Sequence, residues 1–402
     1  MSSILNNSKL SVLQRRKTLA EVNHSSVQEN ESPPKRRRRS DTQLSELYMS
    51  HLRDASQLRV VAERMSWLKL APLIMPEYPV DFEYIFKNWG MEIVSKLGEG
   101  SFSEVYRVRT RFNGENDFDV FKLIPVGQPG QPAFDHMLPE MSMCLAGRCL
   151  LESPRHRAPS FLSLRGTHLV QGQQTEDMIY AYEAFRRKCP QETEQPHPLD
   201  RPKNQFYVVF YTSYDGCELE TELPKLSGDI RASIVLQVTY ALAAAEQSFE
   251  FEHRDLHLSN VVLKDCDESD LEFRISGNRF RIKSFGKRAA VIDYGMCRLV
   301  VDEALHSTFE PEILVGPGMQ RWTYREQHRM LGGNYENRCL ETNGLWIRFI
   351  IRKLFKKRPI SAKVFYAAQI NRLYSELCEN HLSARRCVEI LENCELNQTL
   401  SI

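Results

Sequence analysis

The chain has no C-x-x-C pair, no apolar run near the roughly 18–20 residues of a membrane span, and almost no net charge. Each absence excludes something. Its ten cysteines are scattered, and the closest two, Cys144 and Cys149, are spaced for a helix rather than for a metal site. They are expected to be reduced thiols of a cytosolic or nuclear protein. Met1 to Leu10 holds no apolar stretch, so a secretory leader is not expected. The formal net charge of +1 gives no global pull toward nucleic acid or membrane, so any electrostatic function is local. Neither a nucleic-acid site nor a membrane contact is expected.

What is present fits a soluble two-lobed enzyme with a tail. The 402 residues are 42% hydrophobic and 26% charged, ordinary values for a globular chain and too many residues for one small core. Residues 1–45 are polar and poor in aromatics, the composition of a disordered tail. Within them Pro33-Pro34 leads into five basic residues, Lys35 to Arg39. Such a run in an extended, accessible segment suits a nuclear import receptor. Ser40 follows it with Gln43 three residues on, which fits a helix N-cap, although phosphorylation of the same serine would mask the basic run. Residues 46–212 are expected to hold N-terminal helices and a first lobe, and 213–402 a connecting hinge and a second lobe.

Leu47 to Leu70 has helical spacing. Strands are expected over Met91–Leu97, Glu104–Thr110, Asp119–Ile124 and Gln205–Tyr211, from their alternation and β-branched or aromatic content. Helices are expected over Pro139–Leu151, Asp229–Phe249, Thr342–Phe355, Ala362–Cys378 and Ala384–Cys394. Strands followed by helices make the fold α+β, with a small, mainly β first lobe and a larger, mainly α second lobe. No internal repeat is present.

The chemistry concentrates in His253-Arg254-Asp255-Leu256-His257-Leu258-Ser259-Asn260 and in Asp293-Tyr294-Gly295. These are close to the H-R-D-L-x-x-x-N loop and D-F-G turn of protein kinases. Asp255 is the candidate base that takes a proton from an acceptor hydroxyl. Asn260 and Asp293 are candidate Mg2+ ligands at the phosphates. His257 stands where most such enzymes carry lysine and is a candidate contact to the phosphoryl group or substrate. Upstream, Gly98-x-Gly100-Ser101-Phe102-Ser103 sits between two expected strands, where small residues let backbone N–H groups approach phosphate oxygens. Lys122, on the third strand, is placed to contact ATP, and Glu140, just after Pro139, is placed to hold it.

The same residues resemble the haspin family, divergent protein kinases that phosphorylate the threonine at the third position of histone H3. Phe251-Glu252-His253-Arg254-Asp255-Leu256-His257 is similar to the family's F-E-H-R-D-L-H, Val291-Ile292-Asp293-Tyr294 to its I-I-D-Y, and Leu138-Pro139-Glu140 to its L-P-E. His168-Leu169-Val170-Gln171-Gly172 resembles its H-C-V-Q-G. The resemblance implies a bilobal kinase fold that binds ATP and Mg2+ between its lobes. It implies that the backbone of Ser213, Tyr214 and Asp215 holds adenine, and that Glu218 and Glu220 receive a basic protein tail such as that of histone H3. It also implies a chromosome-associated nuclear enzyme, with cytoplasmic residence left open. Three departures stand out. Ser103 replaces the third lid glycine, Gly295 replaces a threonine, and Gly316-Pro317-Gly318-Met319 replaces an acidic G-D-G-D run that lines the family's substrate groove.

Two other readings compete with an active serine/threonine kinase. A pseudokinase scaffold would keep the fold for partner binding, and the altered lid and lost carboxylates speak for it. A small-molecule kinase carries H-G-D-L-H-x-x-N, which Asp255-Leu256-His257 and Asn260 fit but Arg254 does not.

Overall fold

A computed structural model describes residues 70–110, 118–213, 216–309, 311–356 and 359–399. The expected tail 1–45, its basic run Lys35 to Arg39, Ser40, nearly all of the segment Leu47–Leu70, and Tyr214 and Asp215 of the hinge lie outside the described residues.

Helix α1 (Phe82–Trp89) opens on Asp81, whose carboxylate accepts from Tyr84 N–H at 2.7 Å, and closes on Gly90 in the left-handed region. Strands β1 (Glu92–Glu99), β2 (Glu104–Arg109) and β3 (Asp119–Val126) follow, then helix α2 (Leu138–Glu152), strand β4 (Leu164–Gln171), helix α3 (Glu176–Lys188) and strand β5 (Phe206–Ser213). The five strands form one antiparallel sheet in the order β1-β2-β3-β5-β4. Strand β5 is buried on both faces, and its alternation explains how. Tyr207, Val209 and Tyr211 join Phe82, Ile85 and Phe121 on one side, while Phe206, Val208 and Phe210 join Met137, Met141 and Ile74 on the other. Helix α2 is thereby pressed against the sheet that carries Lys122.

A two-residue strand β6 (Cys217–Glu218) and the single turn α4 (Leu219–Glu222) lead into the second lobe. Gly216 is at φ 96°, and a Cβ there would stand 1.9 Å from the Leu263 carbonyl oxygen, so only glycine fits. The long helix α5 (Gly228–Phe249) is capped by Ser227, whose hydroxyl accepts from Ile230 N–H, and runs through the centre of the largest core cluster. It stops at Glu250, a left-handed residue (φ 48°), and so delivers Phe251–Asn260 to the cleft side. Strands β7 (Val261–Asp265), β8 (Asp270–Ile275), β9 (Asn278–Lys283) and β10 (Lys287–Val291) come next, with β10-β7-β6 making a small sheet and β8-β9 a hairpin. Strands β11 (Arg298–Val300) and β12 (Ala304–His306) pair, and helices α6 (Met319–Met330), α7 (Glu341–Leu354), α8 (Ala367–Glu379) and α9 (Ala384–Thr399) complete the lobe. No helix among the described residues is long and apolar enough to cross a membrane.

The α+β, two-lobed architecture agrees with the sequence expectation. Helix α9 runs on to Thr399, beyond the expected Cys394, and α8 starts at Ala367, not at Ala362. The preceding residues are used for docking. Phe365 N–H donates to Asp229 at the start of α5, and the Tyr366 hydroxyl accepts from Lys283 N–H. Helices α1, α3 and α6, strand β4 and the β8–β9 hairpin were not expected from the sequence.

Candidate active site

Lys122 lies in β3 between Val105 of β2 and Phe210 of β5. Its ammonium is 2.8 Å from Glu140 Oε1 on α2 and 3.2 Å from Asp293 Oδ1. Burial alone would lower the lysine pKa, but the Asp293 and Glu140 carboxylates outweigh it and hold the ammonium charged. The same balance runs the other way at the two acids. Burial raises the Asp293 pKa and Lys122 more than offsets it, so the carboxyl sits below its usual value. At Glu140 burial wins and the pKa is raised.

Asp293 adopts φ 60°, and Gly295 N–H bonds its Oδ1 at 3.3 Å. A Cβ on Gly295 would stand 3.3 Å from Asp293 Oδ1 and 3.7 Å from Glu140 Oε2, which is the room the glycine leaves at the ion cluster. Tyr294, in the place usually held by phenylalanine, packs its ring among Phe161, Phe251 and His253 and donates its hydroxyl to the Val291 carbonyl at 2.7 Å. The extra hydroxyl is therefore satisfied.

The His253–Asn260 loop is fixed from below. Arg254 is fully buried at φ 65° and forks onto Glu252 at 2.9 and 3.0 Å, with further bonds to the carbonyls of Tyr335 and Asn337. Left-handed backbone is uncommon for residues other than glycine, and both Arg254 and Asp293 adopt it. His253 is buried and directs Nε2 at the Ile292 carbonyl, 3.1 Å away, tying this loop to the Asp293 turn.

Asp255 emerges from that frame. Asn260 Nδ2 donates to its backbone carbonyl at 2.8 Å and reaches its Oδ2 at 3.4 Å. The hydroxyl of Tyr324, on α6, donates to Oδ1. Burial pushes the Asp255 carboxyl up to about 8, against the Tyr324 bond, with Asp293 adding to the rise. His257 Nε2 lies 3.9 Å from Asp255 Oδ1, and burial lowers its pKa, against the pull of the Asp293 and Glu220 carboxylates. The His257 side chain is about a quarter exposed, at 24%.

The glycine-rich segment is a tight hairpin between β1 and β2. Gly100 N–H donates to Ser103 O at 2.9 Å and Ser103 N–H to Gly100 O at 3.3 Å. Ser103 turns inward, and a Cβ on Gly100 would meet its hydroxyl at 2.6 Å. Nothing lies within 4 Å of a Cβ at Gly98. Phe102 is exposed at the tip and Ser101 beside it. Ser213 closes β5, and its N–H is taken by the Ser163 carbonyl at 2.9 Å. Glu218 and Glu220 lie on the exposed β6–α4 corner, where Ser259 donates to Glu220 at 2.9 Å. Gly316 to Met319 lead directly into α6.

The structure thus brings together Lys122, Glu140 and Asp293, and separately Asp255, Asn260 and His257. Among the described residues no three or more His, Cys, Asp or Glu side chains gather as a closed metal site. Asn260 and Asp293 offer isolated oxygen donors, the set that suits Mg2+, which keeps phosphate and water ligands. Tyr324 was missed by sequence reasoning, and Glu252 entered it only as a letter of a motif without a role. Tyr324 sits on a helix of mostly polar residues with no motif, so only its position reveals it.

Residues 3–395 match the haspin like kinase domain. The chain belongs to the haspin-like kinase family. It is similar to a serine/threonine-protein kinase haspin homolog of Arabidopsis thaliana, 28% identical over 311 residues, covering 74% of this chain and 50% of that one. The serine/threonine-protein kinase haspin of Mus musculus is 27% identical over 310 residues, covering 73% and 39%. A haspin homolog of Drosophila melanogaster is 24% identical over 333 residues, covering 78% and 58%. The chain therefore spans between 39% and 58% of the length of these relatives. The solved structure of the Cydia pomonella granulovirus kinase PK-1 is 16% identical over 68% of this chain and 72% of its own, with a TM-score of 0.34.

Proposed function

We propose that this chain transfers the γ-phosphate of Mg-ATP to a serine or threonine hydroxyl of a basic nuclear protein tail, of which the histone H3 N-terminus is the leading instance. The observation that carries the proposal is the three-way contact of Lys122 with Glu140 and Asp293, close to a loop that presents Asp255 and Asn260.

Each group then has a role. Lys122, held by Glu140, contacts ATP phosphates as a fixed cation. Gly98 to Ser103 cover the phosphates, and the open space beside Gly98 is room for a ligand. Adenine falls to the hinge around Ser213, Tyr214 and Asp215, where the Ser213 N–H itself is already given to the Ser163 carbonyl. Asp293 and Asn260 would hold Mg2+, whose charge offsets that developing on the phosphate oxygens. Asp255 orients the acceptor hydroxyl and takes its proton, and His257 contacts the acceptor side.

The substrate class is argued from charge. Glu218 and Glu220 present carboxylates at the rim of the cleft, a complement to arginine, lysine or an amino terminus. The basic run Lys35 to Arg39 would carry the protein into the nucleus by an import receptor.

The test is Mg-ATP-dependent labelling of a peptide of the first twenty or so residues of histone H3, with Glu218→Gln and Glu220→Gln as probes. The expected result is labelling abolished by EDTA, with KM for the peptide raised several-fold in the variants and kcat little changed. Unchanged KM in both variants would remove the basic-tail substrate and leave the phosphotransferase.

A further inference from the structure

The connection between α3 and β5 reaches back across the sheet to the glycine-rich hairpin. Glu99 Oε2 accepts from the N–H groups of Glu194 and Gln195 at 2.6 and 2.7 Å, which fixes the Gln195 backbone beside the hairpin. The Gln195 side-chain amide then donates to the carbonyls of Gly100 and Ser101 at 3.0 and 3.1 Å. Its own oxygen accepts from Arg201 at 3.4 Å, which settles the amide orientation. Beneath this, buried Lys96 bridges Glu99 at 2.6 Å and Glu104 at 2.8 Å, and Arg201 reaches Glu104 at 3.4 Å. Two cations and two carboxylates balance, so the group is a neutral anchor rather than an unpaired buried charge.

In a planar trans peptide the carbonyl of one residue and the N–H of the next point opposite ways. Holding the Gly100 and Ser101 carbonyls on Gln195 therefore turns the N–H groups of Ser101 and Phe102 away from the clamp. Those are the two tip amides able to meet phosphate oxygens. A lid with three glycines leaves these peptide planes free to rotate. This one has a serine, Ser103, in the third place with its side chain turned inward, and both tip carbonyls engaged.

We infer that Gln195 is a positioning residue that sets the peptide planes at the lid tip and so presents the Ser101 and Phe102 amides to the triphosphate. The inference rests on the nucleotide-binding part of the function proposed above. Gln195 acts through the lid backbone and takes no part in the transfer itself. Its effect falls on nucleotide retention, because the nucleotide's release requires the tip to loosen.

The test uses the full chain with Mg2+ and a fluorescent ATP analogue, chased by excess ATP, in wild type, Gln195→Ala and Gln195→Glu. Gln195→Glu keeps the shape and replaces the donating NH2 by an acceptor facing two carbonyls. The expected result is dissociation faster by about tenfold in Gln195→Ala, as two lost hydrogen bonds imply, and faster still in Gln195→Glu. Hydrogen exchange in wild type should show the Ser101 and Phe102 amides gaining protection on nucleotide addition, with much of that gain lost in both variants. A lower Tm with unchanged dissociation and unchanged tip protection would mean that Gln195 only ties down its own loop, and would overturn the inference. Should the variants fail to fold, absence of any nucleotide-dependent protection at Ser101 and Phe102 in wild type would overturn it equally. Wild type that binds no nucleotide at all would instead bring down the function proposed above, and this inference with it.

Discussion

The hydroxyl of Tyr324 donates to Oδ1 of Asp255, joining helix α6, which begins at Met319, to the carboxylate presented by the His253–Asn260 loop. Gln327, one turn further along α6, donates to the Arg254 carbonyl at 3.0 Å and accepts from Trp346 at 2.8 Å, so α6 is laced to the loop twice. The rotamer of the candidate base is thereby set by a residue outside every recognisable motif.

Tyr324→Phe should move the pH dependence of transfer. The Tyr324 O–H stabilises the ionised form of Asp255 and so works against the burial that lifts its pKa to about 8. Removing it lets that pKa rise further. The ascending limb of kcat/KM, which reports the free enzyme, should shift to higher pH, with a loss of about tenfold at pH 7 that narrows by pH 9. An unshifted limb would mean that Asp255 does not limit the profile.

Lys122→Met leaves Glu140 and Asp293 without their cation. In wild type the Asp293 pKa is depressed, so its pairing stabilises the fold above the carboxylate range and that contribution is lost on acidification. The variant lacks the contribution. Its Tm deficit should be full at neutral pH and shrink as the pH falls below the ordinary carboxylate value of about 4 toward the depressed Asp293 pKa, alongside a large loss of nucleotide affinity. A deficit independent of pH would show that packing, not the ion pair, is lost.

Much of this cluster was legible beforehand. Lys122, Glu140, Asp255, Asn260 and Asp293 could be read because phosphoryl transfer needs those groups at fixed chain spacings around a strand, a helix start and two turns. Strand β5 was readable because both its faces are buried. Helices α3 and α6 were overlooked although α3 carries a helical stripe, Met178, Ala181, Tyr182 and Phe185, because that stripe is narrow and flanked by charged residues, while the buried face of α6 is Thr323, Tyr324 and Gln327, largely polar residues that give no hydrophobic signal. Tyr324 and Gln195 act across 69 and 95 residues of chain, distances over which no local pattern carries information.

Glu252→Gln tests the support beneath the loop. Glu252 is fully buried, forks with Arg254, and accepts from Cys339 N–H at 2.8 Å and the Thr342 hydroxyl at 3.2 Å. Neutralising it leaves the Arg254 guanidinium buried without its partner, which should cost about 3–5 kcal/mol of stability. Denaturant unfolding measures this directly. A change below about 1 kcal/mol would show that the backbone carbonyls of Tyr335 and Asn337 suffice for Arg254.

Gly100→Ala should weaken nucleotide binding several-fold, because the new Cβ displaces the inward Ser103 hydroxyl, 2.6 Å away. Gly100→Ala combined with Ser103→Gly should recover most of the loss. Equal loss in the single and double variants would place the cost in backbone stiffening rather than in this contact.

The measurement that bears most directly on the account is transfer of labelled γ-phosphate from Mg-ATP to the histone H3 N-terminal peptide by wild type and by Asp255→Asn, at matched concentration and with melting curves to establish folding. Asp255-dependent labelling, lower by about a thousandfold or more in the variant, is the predicted result. A folded, nucleotide-binding wild type that labels neither this peptide nor any protein of a nuclear extract, or an Asp255→Asn variant that labels as well as wild type, would contradict it.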